Sequence, residues 1–390
     1  MGSTCLVLVL LLGTVLGKSA TPDGSYPQIG VYTEVLSRIK SEYVEEPDMK
    51  SVTLGALNGL LESIDPFASY LNADQYKDYL KNKDAQRAGV GLVLSKRFGY
   101  VGVVGAVPGS PAARAGIGTQ DMIETIKGIA TRDMPLAYAN LLLEGEPGST
   151  VEITVIRTRR PEPQKVKLTR AVVTLPPATA RLMPNGVGYL RPETLEAAKV
   201  KQIAADVQRL QKEGAQKLIL DLRNCSIGEP ETGVALANLF LSSGTITYLQ
   251  GQRVPRKDFT ADPKQAISAA PLVVITNRGT ASAAEVAAAA LLENKRAQVV
   301  GERTYGDASQ RRAITMDDGG AIILSVAKYY SPGGKAIQDT GVTPSSMVNE
   351  PEAQVELDEN GEPLPEPEQQ KKPEEDPLLK KAIEVLAAPR

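Results

Sequence analysis

Residues 271–285 read PLVVITNRGTASAAE, and this stretch predicts the fold around it. The apolar, β-branched run 271–276 is typical of a buried strand, and Gly279 permits a sharp turn after it. Residues 283–292 are rich in Ala and have strong helix propensity. We therefore expect Ser282 at the junction of a buried strand and a helix N-terminus. A hydroxyl nucleophile gains there from the helix dipole and from free backbone N–H groups.

The same residues permit a second interpretation. Ser282 and Glu285 have the Ser-x-x-Glu spacing of a capping box, and a serine at an N-cap usually does nothing more than cap its helix. The stretch alone therefore leaves two roles open for Ser282, a nucleophile and a cap.

Composition excludes several classes of function. The chain has 390 residues, enough for two or three modules, and a net charge of −2, which gives no electrostatic case for nucleic acid. It contains no His, so a Ser-His-Asp triad, a Cys-His dyad and an imidazole metal ligand are impossible. We expect no cofactor and no metal. Of the two cysteines, Cys5 lies in an N-terminal apolar run, and Cys225 is expected to be a packed thiol because no His can activate it.

The N-terminal residues 1–20 contain an apolar run, residues 5–17, that has the place and length of a signal-peptide core. It is too short for a comfortable membrane span. We expect a cleaved export signal, and hence a periplasmic, extracellular or lumenal protein. A retained N-terminal anchor is the second interpretation, and it would be the chain's one association with a membrane; a buried element of a domain is the third.

Apolar residues recur at helical spacing in residues 27–87, so this region is predicted to be helical, with a second helix starting at Asp48. Such a region can cap another domain or act as a dimerisation arm, which leaves a homo-oligomer open. The Pro of the segment 65–71 is expected to end the helical pair.

Short strands and glycines dominate residues 88–175. A glycine loop offers backbone N–H groups to a peptide carboxylate, and an adjacent strand edge can accept the peptide as an added strand. The order of elements resembles a PDZ domain of the circularly permuted type found in bacterial proteases. In that resemblance Gly89, Val90, Gly91 and Leu92 match the carboxylate-binding loop, so the implied partners are protein or peptide C-termini. The alternative is a β-module that only covers another domain.

Strands alternate with helices over residues 176–348, which predicts parallel pairing with crossover connections. Ligand chemistry in such sheets lies at the C-terminal strand ends, where residues 224–228 and 279–282 fall. Residues 349–375 are dominated by Glu, Pro, Gln and Lys and are predicted to be a solvated tail. A short amphipathic helix is expected within 376–390. The predicted fold class is therefore α+β and multidomain, with a helical N-terminal region, a PDZ-like β-module and an α/β core.

Several motifs in order resemble the C-terminal processing (tail-specific) serine peptidases over nearly the whole chain. Beside the PDZ-like segment, the matching motifs are residues 65–71 (DPFASYL), 221–224 (DLRN), 279–285 (GTASAAE), 301–306 (GERTYG) and 329–333 (YYSPG). The resemblance implies an endopeptidase with a Ser–Lys dyad and no His. It places the nucleophile at Ser282 and the oxyanion hole at the backbone N–H groups of Gly228 and Ala283.

The sequence departs from this family at the remaining catalytic positions. The position of the family's lysine carries Asp307, and the position of its glutamine carries Arg311, unless a one-residue deletion leaves Gln310 there. The turn at 225–228 reads CSIG and retains one of the family's two glycines. An ionised Asp is a poor base for a serine hydroxyl, and an Asp neutralised by burial is no base at all.

Three functional hypotheses follow. The first is a degenerate family member that binds C-terminal tails, with cleavage weak or lost. The second is an active serine endopeptidase in which another lysine, such as Lys295 or Lys328, replaces the missing base. The third is a non-catalytic adaptor that docks partners through its PDZ-like module and its acidic tail. Whether the chain is an enzyme is left open by the sequence.

Overall fold

A computed structural model describes residues 27–83, 88–97, 99–132, 134–157, 160–350 and 376–388. These residues fall into two compact units, one ending at Ala56 and the other beginning at Leu57. The predicted export signal, Cys5 and residues 351–375 of the predicted tail lie outside the described residues. None of the helices in the described ranges is both long enough and apolar enough to cross a membrane.

The N-terminal region is helical, as the spacing of its apolar residues predicts. It contains α1 (Pro27–Glu42), α2 (Met49–Glu62), the short strand β1 (Ser69–Leu71) and α3 (Ala73–Lys83). The carboxylate of Asp48 accepts the backbone N–H of Lys50 at 3.0 Å, so Asp48 caps the second helix as expected. The strand β1 was not predicted, because three residues are too few to show an alternating pattern.

The middle module is an antiparallel sheet with two helices. Its elements are β2 (Leu92–Arg97), β3 (Tyr100–Ala106), α4 (Pro111–Arg114), β4 (Met122–Ile126), β5 (Ile129–Ala130), α5 (Leu136–Leu143), β6 (Thr150–Arg157) and β7 (Arg160–Thr169). The strand order is β2-β3-β4-β6-β7, with β5 paired to β4. The strand β2 therefore lies at an edge, and α5 packs beside it. Ile123, Ile126 and Ile153 are fully buried in the core of the module.

The C-terminal core contains two sheets. Its elements are β8 (Thr179–Met183), β9 (Val187–Arg191), α6 (Ala197–Lys212), β10 (Lys217–Asp221), α7 (Pro230–Asn238), β11 (Thr245–Gln250), β12 (Lys257–Thr260), β13 (Leu272–Thr276), α8 (Ala283–Glu293), β14 (Ala297–Gly301), β15 (Ser309–Thr315), β16 (Ala321–Tyr330), β17 (Ser346–Met347) and α9 (Pro377–Ala387).

The first sheet has the order β17-β14-β13-β10-β9-β8 and is parallel except at β8. This confirms the predicted parallel pairing. The second sheet, β1-β16-β11-β12 with β15 on β16, is antiparallel. The sequence predicts one part of this second sheet, a long hairpin through Gly319, Ile322 and Tyr330, which is the pair β15–β16. The rest of the sheet was not predicted, because its strands are joined by long connections that leave no local signal.

The helix α8 lies at the centre of the core. Every residue from Ala283 to Leu291 is buried, and the helix packs on α7, β11 and β14. An Ala-rich helix suits this place because small side chains permit close packing on every side. On the opposite face of the parallel sheet, α9 buries Leu378, Ala382 and Leu386 against β13 and β14. The predicted short C-terminal helix is thereby confirmed.

Candidate active site

The candidate nucleophile lies where the sequence predicts it. The strand β13 ends at Thr276, and Ser282 is the residue immediately before α8. Ser282 has φ 54° and ψ −117°, a conformation that is strained for a residue with a side chain. Backbone strain of this kind is stored where surrounding contacts enforce it, and it concentrates at functional sites.

The loop after β10 meets this serine. The Ser282 hydroxyl donates a hydrogen bond to the Gly228 carbonyl oxygen at 2.8 Å. Gly228 has φ 141°, and a Cβ there would lie 2.5 Å from the Leu195 carbonyl oxygen, so only glycine fits. A second bond, from the Ala281 amide to the Cys225 carbonyl at 3.0 Å, joins the two loops. The group of Gly228 that contacts the Ser282 hydroxyl is therefore its carbonyl oxygen, an acceptor. An oxyanion hole requires hydrogen-bond donors instead.

The carboxylate of Glu285 connects Ser282 to the loop that carries Asp307. It is fully buried and accepts the Ser282 amide at 3.1 Å, the Asp307 amide at 2.8 Å, the Gly306 amide at 2.7 Å and the Thr304 hydroxyl. Burial raises the pKa of Glu285 to about 7, although these donors oppose the shift. The Ser282 and Asp307 amides share Oε2, so their nitrogens lie within about 6 Å of each other.

Asp307 and Arg311 form an ion pair at this site. The Arg311 guanidinium donates to an Asp307 carboxylate oxygen, and the Asp307 side chain is 13% exposed. Burial raises the pKa of Asp307, while the charge and hydrogen bond of Arg311 act in the opposite direction. One hydrogen bond therefore joins the two residues that the sequence predicts at the family's lysine and glutamine positions.

The two lysines considered as replacement bases have other surroundings. Lys295 lies beyond the far end of α8, an 11-residue helix, and hence about 16 Å or more from Ser282 along the axis. The Lys328 ammonium is 2.8 Å from the Asp339 carboxylate. Within the described ranges, no lysine amine hydrogen-bonds to the Ser282 hydroxyl.

Cys225 lies between these loops and is 1% exposed. Burial, with a lesser contribution from nearby carboxylates, raises the pKa of its thiol far above the usual range. A thiol held protonated in this way is not a nucleophile, which agrees with the expectation of a packed cysteine.

The predicted carboxylate-binding loop is present beside the edge strand β2. Gly91 has φ 77°, and a Cβ there would lie 2.3 Å from Cβ of Ser110, so the turn requires glycine. The Gly89 amide is already bonded to the Ala171 carbonyl at 3.0 Å. No group in the described ranges accepts the amide hydrogens of Val90 and Gly91. These two N–H groups are therefore the donors available for a carboxylate.

A cavity of about 570 Å³ connects this module to the site. It is lined by Leu92, Val93 and Leu94 of β2, by Leu136, Ala137, Asn140, Leu141 and Glu144 in and after α5, and by Phe67, Asp307 and Arg311. The module also touches the site directly, since the Ser95 and Tyr305 hydroxyls are hydrogen-bonded. The structure thus brings together Ser282, Gly228, Ala283, Asp307 and Arg311, with the loop 89–92 on a wall of the adjoining module.

Two connections at the site were missed from the sequence. The capping-box spacing indicated that Glu285 bonds the Ser282 amide, but nothing local indicated that the same carboxylate binds residues 304–307. The Arg311 guanidinium stacks on the Phe67 ring, 3.9 Å from the ring centre. These residues are 244 positions apart, and no sequence signal indicates the contact.

A strained serine before a buried helix, combined with a neighbouring PDZ module, defines the class of PDZ-containing serine peptidases. Two family models match the chain: peptidase family S41 over residues 186–348 and a PDZ domain over residues 102–157.

Known relatives agree with these matches. A carboxyl-terminal-processing protease of Picosynechococcus sp. is 34% identical over 319 residues, covering 80% of this chain and 76% of the relative. The protein of the same name from Synechocystis sp. is 32% identical over 321 residues, covering 80% and 75%. A solved photosystem II D1 C-terminal processing protease superposes with a TM-score of 0.68 and 28% identity, covering 86% of this chain and 96% of that one. The chain belongs to the carboxyl-terminal-processing proteases of peptidase family S41.

Proposed function

We propose that this chain binds protein C-terminal tails through its PDZ module and that its peptidase core cleaves them weakly or not at all. The observation that carries the proposal is the Asp307–Arg311 ion pair. A serine peptidase of the Ser–Lys type needs a neutral amine beside its hydroxyl, and a carboxylate paired with a guanidinium is too weak a base to replace that amine.

The state of the hydroxyl supports the same conclusion. Its proton is directed to the Gly228 carbonyl, an acceptor far too weak to remove it. General-base catalysis contributes about 10²–10⁴-fold to the rate of such enzymes, so its loss leaves little turnover.

Binding of a tail is supported by the loop 89–92 and the edge of β2. The Val90 and Gly91 amides provide donors for a terminal carboxylate, and the edge strand provides backbone groups for an extended peptide. We also propose that the protein is exported, on the basis of the apolar run 5–17.

The test combines binding with cleavage on one unstructured substrate. We expect a peptide with a free C-terminus to bind the full chain and its C-terminally amidated form to bind at least tenfold more weakly. We expect no fluorophosphonate labelling of Ser282 and no difference in cleavage between the wild type and Ser282→Ala. Serine-dependent cleavage at a rate ordinary for a serine peptidase would overturn the loss of catalysis, and equal binding of both peptides would overturn the binding role.

A second candidate is an active endopeptidase that uses Lys328. One observation favours this candidate. Lys328 of β16 pairs with Ser309 of β15, and Ser309 follows Asp307 by two residues. This candidate predicts that Ser282 is labelled and that Lys328→Met abolishes the labelling. Lys335→Met, an exchange of another lysine, serves as the control.

A further inference from the structure

The groove between β2 and α5 has two distinguishable ends. At one end, Ala88 pairs with Gly145 beside the loop 89–92, where a terminal carboxylate is proposed to bind. At the other end, the N-terminus of α5 meets the segment after Phe67, since the Ala137 amide donates to the Ser69 hydroxyl at 3.1 Å. A peptide bound by its C-terminus would therefore extend from Gly145 towards Phe67.

The edge of β2 is open over only part of its length. The Lys96 amide already donates to the Pro66 carbonyl at 3.1 Å. Leu94 and Lys96 are two residues apart in a regular part of the strand, so their amides face the same edge. An added strand can thus run beside residues 92–94 and then meets Pro66 and Phe67. At about 3.3 Å per residue, this point lies about four or five residues before the C-terminus of the peptide.

Arg311 lies at this point. Its guanidinium stacks on Phe67, its side chain is 30% exposed, and it lines the same cavity as Leu92 and Leu94. In the part of the chain that the structure describes, Asp307 is the one acceptor of its hydrogen bonds. A guanidinium has five N–H donors in a rigid fork, so a second carboxylate can be bound by the remaining ones.

A carboxylate side chain also lines the cavity near the opposite end of the groove. Glu144 lines the cavity next to Gly145, close to the place of the terminal carboxylate. An acidic side chain of a bound peptide that lies further upstream would face Arg311.

We propose that Arg311 is a specificity-determining residue that selects tails with an acidic side chain about four or five residues before a free C-terminus. The inference rests on the proposed binding of C-terminal tails and specifies which tails bind. It concerns binding alone and holds whether or not Ser282 cleaves the bound tail.

The test is a peptide series measured by fluorescence anisotropy with the full chain. Ten-residue peptides with a free, apolar C-terminal residue carry one Glu at each of the six preceding positions in turn, and a parallel series carries Gln at the same positions. We expect the Glu peptide to bind about three- to tenfold more tightly than its Gln counterpart at the fourth or fifth position, and this preference to weaken with added salt.

Variants assign the preference to a residue. Arg311→Gln should abolish the preference for Glu, and Arg311→Lys should retain part of it. Arg312→Gln removes the same charge from the exposed neighbour on β15 and should leave the preference unchanged. A preference that survives Arg311→Gln, a preference for Lys, or equal binding of the two series would overturn the inference while leaving tail binding intact. If no free C-terminus binds, or if amidated peptides bind equally, the proposed function fails together with this inference.

Discussion

At the scale of single residues, Glu285 has the most connections at the candidate site. One buried carboxylate accepts from the backbone of Ser282 and from the loop 304–307. The Glu285 carboxylate therefore fixes the position of Ser282 relative to Asp307. Its pKa of about 7 makes this arrangement dependent on pH.

The raised pKa of Glu285 predicts how stability changes with pH. The folded state binds the Glu285 proton more tightly than the unfolded state, where the pKa is near 4.5. The contribution of this proton to the free energy of unfolding is therefore largest below pH 4.5 and is lost as the pH rises through about 7. The difference corresponds to about 3 kcal/mol at most. We expect Glu285→Gln to gain free energy of unfolding relative to the wild type by up to this amount between pH 4.5 and pH 8, measured by urea unfolding. Glu146→Gln, at an exposed position, serves as the control, and parallel curves for wild type and Glu285→Gln would contradict the prediction.

The ion pair of Asp307 and Arg311 predicts a gain of function. The double variant Asp307→Lys, Arg311→Gln restores the residue types that the resemblance implies at both positions. We expect it to cleave an unstructured substrate about 10²-fold or more faster than the wild type, because a desolvated lysine can act as general base. The same two changes made together with Ser282→Ala are the control and should be inactive. An inert double variant would mean that the loop 225–228 is also disabled.

At the scale of elements, the N-terminus of the helix α9 is connected by hydrogen bonds to the loops of the site. Its N-cap residue Asp376 pairs with Arg223 through two hydrogen bonds of 3.1 and 2.7 Å, and Arg223 also contacts the buried Asp221. The next residue, Asn224, donates its amide to the Asn277 side chain at 3.0 Å. The C-terminal helix is thus connected to both loops that meet at Ser282.

This arrangement predicts a measurable effect of releasing α9. Asp376→Ala removes both the helix cap and the ion pair with Arg223, and we expect a loss of about 1–2 kcal/mol of stability after allowing for the partial exposure of Asp376. Amide hydrogen exchange should become faster in residues 222–228 and 277–282. Glu384→Ala breaks only the surface pair with Lys381 and should change stability by less than about 0.5 kcal/mol. Unchanged exchange in both loops would show that α9 does not support them.

At the scale of the whole molecule, the PDZ module and the peptidase core share one cavity. Leu92 to Leu94 form one wall, while Asp307, Arg311 and Phe67 belong to the other. If a tail binds in this groove as proposed, it passes Asp307 whether or not it is cleaved. Binding and cleavage can be separated by changing either wall alone.

The glycine loop predicts such a separation. Gly91→Ala forces a Cβ into Ser110 at positive φ and should weaken tail binding tenfold or more, as measured by anisotropy. Gly148→Ala carries the same backbone cost at φ 81° with open space around it, and should bind normally. Enlarging the side chain at the candidate nucleophile by Ser282→Leu should leave the affinity within about twofold if the groove alone holds the tail. Equal affinities of the Gly91→Ala and Gly148→Ala variants would contradict this assignment.

The sequence by itself determined the elements whose signals are local. The buried strand, the turn and the Ala-rich helix around Ser282 follow from residues 271–292, and the structure places them as β13 and α8. The parallel sheet, the PDZ module, the capped helices and the docked C-terminal helix were also predictable, because periodicity, glycine turns and caps act over a few residues. The motifs identified the family, whereas the departures from it at Asp307 and Arg311 stay predictions.

Only the tertiary structure decided what these residues contact. Several contacts join residues that are separated in sequence or whose backbone hydrogen bonds carry no sequence signal. They are the antiparallel sheet that includes β1, the four donors on Glu285, the ion pair of Asp307, the stacking of Arg311 on Phe67 and the blocked edge of β2. Long-range contacts form because the whole core buries its apolar surface, and the polar groups brought along must then find partners where they arrive. That requirement, rather than any local propensity, brings the Asp307 carboxylate to the Arg311 guanidinium.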